Sequence, residues 1–230
     1  MPASDVSTIA TGISEPNAVE ILFEDDVLVA VNKPANMPVH RGGEHDDRPD
    51  LESILRARLG RELVLFHRLD ADTTGVVLLG KDRSINSRMA AVFARKKILK
   101  TYWVVVRGMW QPGWARVETR IERGGGSRYR NVETGGQRAL TTFRVLAAND
   151  ERSWLEAQPK TGRTHQIRLH CKARGCPVLG DRLYGRSGPA PMALHAREVE
   201  LLHPLTQQPL RICAPAPSYW DEIWLKGLTA

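Results

Sequence analysis

Four runs, Thr101 to Arg107, Arg116 to Ile121, Leu140 to Leu146 and Trp154 to Gln158, combine β-branched or aromatic residues, and turn residues rather than regular helical repeats separate them. Parallel neighbours need a crossover of about a dozen residues, usually a helix, whereas antiparallel neighbours need only a turn. The pattern therefore predicts a mixed, largely antiparallel sheet with helices packed against it, an α+β architecture. Two further strand-like runs, ILF from Ile21 and VLVAVN from Val27, flank the acidic turn Glu24 to Asp26. With 230 residues and 42% hydrophobic content, the chain can bury a core of that kind.

Three helices are expected. Asp50 caps the first, whose apolar residues Leu51, Ile54, Leu55 and Leu59 share a face and which stops at Gly60. Ser84 caps the second, with Ile85, Met89, Val92 and Phe93 as its buried stripe. The third begins near Thr164 and ends at Gly175, ahead of Pro177. Residues 1–18 are polar and aperiodic and read as a flexible tail, leaving residues 19–230 as one domain.

Net charge is +7, but residues 1–50 hold ten acids against three bases, so the remainder carries 30 bases against 16 acids. From Ala157 to Gly180 there are Lys160, Arg163, Arg168, Lys172 and Arg174 and no acid. Such a body suits a polyanionic partner, because neutralising phosphates releases counterions. The N-terminus has no apolar segment after a basic start, and no apolar stretch is long enough to span a bilayer, so a cytoplasmic chain without membrane contact is expected. Cys171, Cys176 and Cys213 read as reduced thiols.

The stretch LFHRLDADTTGVVLLGKD, Leu65 to Asp82, sets an arginine and two aspartates between apolar runs. Strand alternation would send Phe66, Arg68 and Asp70 to one face, with a tight turn at Thr73 to Gly75 before VVLLG. Two readings of Asp70 stay open on the residues alone: a carboxylate that caps the turn or pairs with Arg68, or a reactive group at the rim of a cleft. Asp72 competes for the second role, although its alternation phase favours turn capping.

HRLDADTTGVVLLGKD resembles the H-R-L-D-x-x-T-S-G segment of the RluA-type pseudouridine synthases, with Thr74 where serine is more usual. VLVAVNKPANMPVH from Val27, KTYWVVVRG from Lys100, GRTHQIRLHCKARGCPVLGDRLYG from Gly162 and LHAREVELLHP from Leu194 resemble that family's other blocks in the same order. The resemblance implies a pseudouridine synthase catalytic domain with a central basic RNA-binding cleft, isomerising uridine in structured RNA, ribosomal or transfer, after base flipping. It implies Asp70 as the catalytic aspartate, Tyr102 as a ring stacked beneath the base that assists proton removal from C5, and Arg163 as the arginine that pairs with the carboxylate. Arg68 would fill the space of the flipped nucleotide, Leu183 would wall the uracil pocket, and His67, Thr74, Lys100 and Arg168 would also contact substrate.

The isomerisation exchanges one glycosidic bond for another, so no cofactor is expected. His165, His170, Cys171 and Cys176 lack the spacing of a zinc site, and no metal is expected. GGGSRYR, Gly124 to Arg130, reads as a glycine-rich hairpin tip able to touch RNA, and RKKILK, Arg95 to Lys100, as a phosphate grip. Many relatives carry an S4-type RNA-binding domain; the first 20 residues are too few for one, so recognition is expected from the catalytic body of a monomer. A catalytically silent RNA-binding or chaperone module on the same scaffold is the alternative, and the joint presence of Asp70, Tyr102 and Arg163 argues against it.

Overall fold

The computed structural model of the protein describes residues 19–41, 48–94, 97–111, 115–186 and 188–228. The expected tail, Arg95, Lys96 and part of the loop before Asp50 lie outside them. The strands are β1 (Glu20–Glu24), β2 (Leu28–Lys33), β3 (Val64–Leu65), β4 (Thr74–Gly80), β5 (Leu99–Arg107), β6 (Arg116–Arg123), β7 (Tyr129–Val132), β8 (Gln137–Ala148), β9 (Arg152–Pro159), β10 (Leu194–Leu202) and β11 (Pro209–Cys213). The α-helices are α1 (Leu51–Leu59), α2 (Asn86–Ala94) and α3 (Gln166–Ala173), and a π-helical turn spans Asp221–Leu225.

One sheet runs in the order β1-β2-β4-β10-β5-β9-β8-β6-β7, with β3 on β4 and β11 on β10. Among the described residues only β4 and β10 run parallel, His195 opposite Thr74 and Ala196 opposite Gly75; the other strand pairs are antiparallel. The sheet is therefore mixed and largely antiparallel.

All seven residues of β4 are buried, because both faces of the sheet are covered there. Alternation divides its side chains: Val77 and Leu79 join Val29, Val31 and the α1 residues Leu51 and Leu55, whereas Val76 and Leu78 join Leu28, Ala30 and the α2 side with Ile85 and Met89. A third cluster, Ile121, Ala139, Leu169 and Tyr184, seats α3 on the far end of the sheet. α1 begins and ends where the sequence predicts: the Asp50 carboxylate accepts the Ser53 N–H at 2.9 Å, and Gly60 takes φ 63° as it closes the last turn.

Several elements depart from expectation. The run before Asp70 is not a sheet-interior strand: β3 holds only Val64 and Leu65, and the chain beyond it is irregular, so alternation does not place Arg68 and Asp70. Asp82, not Ser84, opens the second helical segment; its carboxylate accepts the Ser84 N–H at 2.7 Å and starts a 3₁₀ turn, Arg83–Ile85, ahead of α2. α3 starts at Gln166 rather than near Thr164, because the Gln166 side chain accepts from the Arg163 N–H at 3.1 Å and the Thr161 hydroxyl at 2.6 Å and folds residues 161–165 into a turn. β10 was not anticipated as a strand, since its charged residues obscure the pattern, yet pairing on both edges makes it central. All three cysteines are free thiols.

Candidate active site

Asp70 stands at the mouth of β4. Its carbonyl accepts the Thr73 N–H at 3.0 Å, closing the turn that leads into the strand. Gly75 then lets β4 meet β10: φ is +108°, and an added Cβ would lie 2.2 Å from the Ala196 carbonyl oxygen, so a side chain there would push the Asp70 turn off the sheet. The Asp70 side chain faces a cleft of about 530 Å³ whose walls come from the 66–73 segment, β5, the 159–165 turn, the start of α3 and Leu194 of β10.

The partner of Asp70 is Arg168, not Arg163. Arg168 is 3% exposed and donates from Nη1 to Asp70 Oδ2 at 2.7 Å, while its Nε and Nη2 grip Asp181 at 2.7 and 2.8 Å. Arg163 precedes the helix, is exposed, and gives its Nε to the Arg138 carbonyl. The helix displaces the expected role by five positions because only within α3 does an arginine point inward. Arg168 thus contacts the Asp70 carboxylate rather than being left free for substrate.

Asp181 was missed by the sequence reading, although it is the first acid after the acid-free stretch. It is fully buried and also accepts the Leu183 and Tyr184 N–H groups at 2.9 and 3.0 Å. Burial would raise its pKa, but Arg168 and these N–H donors hold it below the ordinary carboxylate value. Burial would likewise lower the Arg168 pKa; its two carboxylates more than reverse that, so the guanidinium is a fixed cation.

A second contact to Asp70 comes from His165, whose Nε2 lies 3.8 Å from Oδ2. The Tyr184 hydroxyl oxygen accepts the Tyr129 N–H at 2.8 Å and meets His165 Nδ1 at 2.8 Å. An imidazole protonated on Nε2 satisfies every group, with the tyrosine O–H donated to Nδ1 and the Nε2–H turned to Asp70. His165 holds this place with φ 57°, left-handed backbone that a non-glycine residue rarely adopts, which the α3 turn imposes. The hairpin tip between β6 and β7 is thereby connected to the carboxylate.

Lys33, also unforeseen, ends β2 fully buried and donates from Nζ to the carbonyls of Pro34, Met37 and Ala71 at 2.7, 2.8 and 2.8 Å. It ties the loop after β2 to the turn that carries Asp70. Burial lowers its pKa to about 7, against the opposing pull of Asp72 and Asp70. The signal was a lysine closing an otherwise apolar strand. Asp72 itself sits at the turn tip, outside the cleft lining.

Tyr102, 9% exposed in the middle of β5, lines the cleft between two small cross-strand neighbours, Ala157 and Ala196, which leave room over the ring. Burial, with the Asp70 charge, raises its hydroxyl well above the ordinary value, so the ring is a neutral phenol suited to stacking. Arg68 is exposed at the rim, its Nη1 3.1 Å from His40 Nε2. Lys100 lines the cleft as well.

Two residues expected at the substrate are elsewhere. Thr74 is buried beneath the sheet surface with its hydroxyl 2.9 Å from His195 Nδ1, because the first residue of β4 points away from the turn. Leu183 packs into the third cluster, drawn there by the Asp181 cap on its own N–H. His67 borders the cleft, but its Nε2 accepts the Leu78 N–H at 3.0 Å, which fixes it as a neutral imidazole bracing β4.

Burial lowers the pKa of His67 to about 3, and those of His170 and His195 to about 4, from an ordinary 6.5. A histidine depressed by folding contributes stability that is complete above pH 6.5 and lost as pH falls through the interval toward the folded value. The urea midpoint is expected to drop between pH 7 and pH 5, before carboxylates titrate. A midpoint constant over that range would contradict the assignment of these rings as neutral.

The profile of the family described as RNA pseudouridylate synthase matches residues 27–173. The chain is 33% identical to ribosomal large subunit pseudouridine synthase C of Vibrio cholerae, over 90% of this chain and 68% of that one. It is 34% identical to tRNA pseudouridine synthase C of Salmonella typhimurium, over 92% of this chain and 89% of the relative. Among solved structures, human RNA Pseudouridylate Synthase Domain Containing 1 superposes with a TM-score of 0.73 at 26% identity, covering 89% of this chain and 86% of that one. A carboxylate held by an inward arginine beside a neutral tyrosine, on a sheet of this topology and with these relatives, leads to one conclusion: the chain belongs to the RNA pseudouridylate synthase family and is an RNA pseudouridine synthase, an enzyme that isomerises uridine in RNA to pseudouridine.

Proposed function

We propose that the substrate is a uridine in a structured stem-loop of large-subunit ribosomal RNA, transfer RNA or both, and that Asp70 is the group that acts on it. The named relatives act on these two RNA classes, and the cleft has cations at rim and wall. The observation that carries the reading is the 2.7 Å bond between Arg168 and Asp70 at a cleft that Tyr102 also lines. Arg168 holds the carboxylate in place at the cleft.

Flipping the uridine costs roughly a few kcal/mol of stacking and pairing, which Arg68 offsets by taking the vacated space. In the cleft the flipped base stacks on the Tyr102 ring, and the Asp70 carboxylate faces C1′. The N1–C1′ bond breaks, the uracil turns, C5–C1′ forms, the C5 proton leaves and N1 gains a proton from solvent. Asp70 serves this exchange as a nucleophile or as the counter-charge of a developing cation. Incubation of the purified protein with bulk tRNA and ribosomal RNA, followed by pseudouridine mapping, is expected to reveal discrete modified sites. Persistence of those sites with Asp70→Ala would overturn the assignment of Asp70.

A further inference from the structure

A second cavity, of about 780 Å³, opens beside the catalytic cleft. The two share a wall formed by Phe93, Lys100, Pro159, Thr161, Gly162 and Arg163. Its rim holds the cations Lys97, Lys100, Lys160, Arg163 and Arg211 against one acid, Glu200. Its floor is apolar, with Leu99, Leu201 and Leu210. The volume falls within the roughly 300–1,000 Å³ of small-ligand sites.

Lys100 is the distinctive residue. It lies two positions before Tyr102 on β5, so both side chains leave the same face of the strand. Among the described residues its Nζ has no acidic partner and no hydrogen-bond acceptor, although the half-buried side chain lines both cavities and burial lowers its pKa. A half-buried cation without a protein partner suits an anionic ligand. Arg211 is already taken by Glu198 at 2.6 Å, whereas Lys97 and Lys160 are exposed and have no acidic partner among the described residues.

We infer that this cavity holds the nucleotide next to the target uridine, with its base on the apolar floor and the intervening phosphate on Lys100. The RNA strand then passes over Lys97 and Lys160 on its way out. The inference rests on the uridine-in-RNA reading and adds to it a subsite that favours an unpaired neighbour, because a paired one would have to give up a second stack and pair, at a further cost of roughly a few kcal/mol, to reach the floor. An apolar floor with a cationic rim is the chemistry of a single-strand site: the base is tolerated by surface contact and the backbone is gripped by charge.

The probe is fluorescently labelled pentauridylate, its affinity measured by anisotropy across a salt series, for the wild type and three variants. Lys97→Gln combined with Lys160→Gln, both exposed, is expected to raise Kd on the order of tenfold and to lower the salt slope by roughly 1 per cation. Arg83→Gln combined with Arg88→Gln makes the same charge change outside both cavities and is expected to leave the slope unaltered. A scan placing one neutral methylphosphonate linkage at each position is expected to find one linkage that weakens wild-type binding about tenfold and leaves Lys100→Gln binding unchanged. Equal losses for the two double variants, or a Lys100→Gln protein as sensitive as wild type to every neutral linkage, would overturn the subsite. The isomerisation assay on bulk RNA, run on the same preparation, separates the two claims: pseudouridine formed without this binding pattern removes the subsite only, and the binding pattern without pseudouridine removes the reaction only.

Discussion

Asp70→Asn is expected to lose activity by roughly 10⁴-fold, because an amide neither attacks carbon nor balances a developing cation, while the fold survives. The amide keeps the volume and the turn, because the backbone carbonyl, not the side chain, closes on Thr73. It removes the carboxylate proposed to face C1′. Arg168 stays gripped by Asp181 through two bonds, so the buried cation is not abandoned. Circular dichroism and the thermal midpoint should therefore match wild type within a few degrees while single-turnover pseudouridine formation vanishes. Binding of RNA by the inactive protein would show that the loss is chemical. A variant that unfolds, or one that retains a tenth of the activity, would count against the assignment.

Arg168→Met is expected to act on both activity and stability, because one guanidinium serves two carboxylates. Asp181 is fully buried, and removing its partner leaves an uncompensated charge that costs about 3–5 kcal/mol. The pH dependence gives a sharper test. In the wild type Asp181 is held below the ordinary value of 3.8, so its contribution to stability is complete above that value and fades only as pH falls through the folded pKa. Without Arg168, burial outweighs the two backbone donors and the folded pKa rises above the ordinary value. The contribution is then present below that value and lost as pH rises. The penalty of the substitution, measured as the difference in urea-unfolding free energy from wild type, should be larger at pH 8 than at pH 5. A penalty independent of pH would mean that Asp181 finds another counter-charge. Arg168→Lys is expected to recover little, because a single ammonium cannot bond both carboxylates in the geometry of the planar fork.

Asp70 belongs to a contiguous motif, whereas the place of Arg168 depends on a helix boundary. Asp70 was legible in the chain: a charged pair between apolar runs, a turn signature and a family block all point to it. Arg168 was named for the substrate and Arg163 for the carboxylate, and the exchange between them followed from where α3 begins. That boundary was set by the Gln166 side chain folding back on Arg163 and Thr161, a contact that propensity does not encode. Asp181, Lys33 and His165 escaped as site residues for a related reason. Each acts through partners distant in the chain, Asp181 on Arg168 and Lys33 on Ala71, and a local pattern carries no record of such partners. Thr74 and Leu183 erred in the opposite sense, since neighbours in the motif proved to face another layer of the fold.

By itself the sequence determined the α+β class, the antiparallel bias, the α1 caps, the basic character of the body and the family, and it singled out Asp70 as the candidate. These follow from short-range rules, alternation, capping and turn chemistry, or from contiguous motifs. The tertiary structure alone decided which arginine meets the carboxylate, which histidine stands behind it and that β10 runs through the centre of the sheet. A strand pairing or a buried ion pair is settled by which surfaces exclude water together, and residues far apart in the chain take that decision jointly.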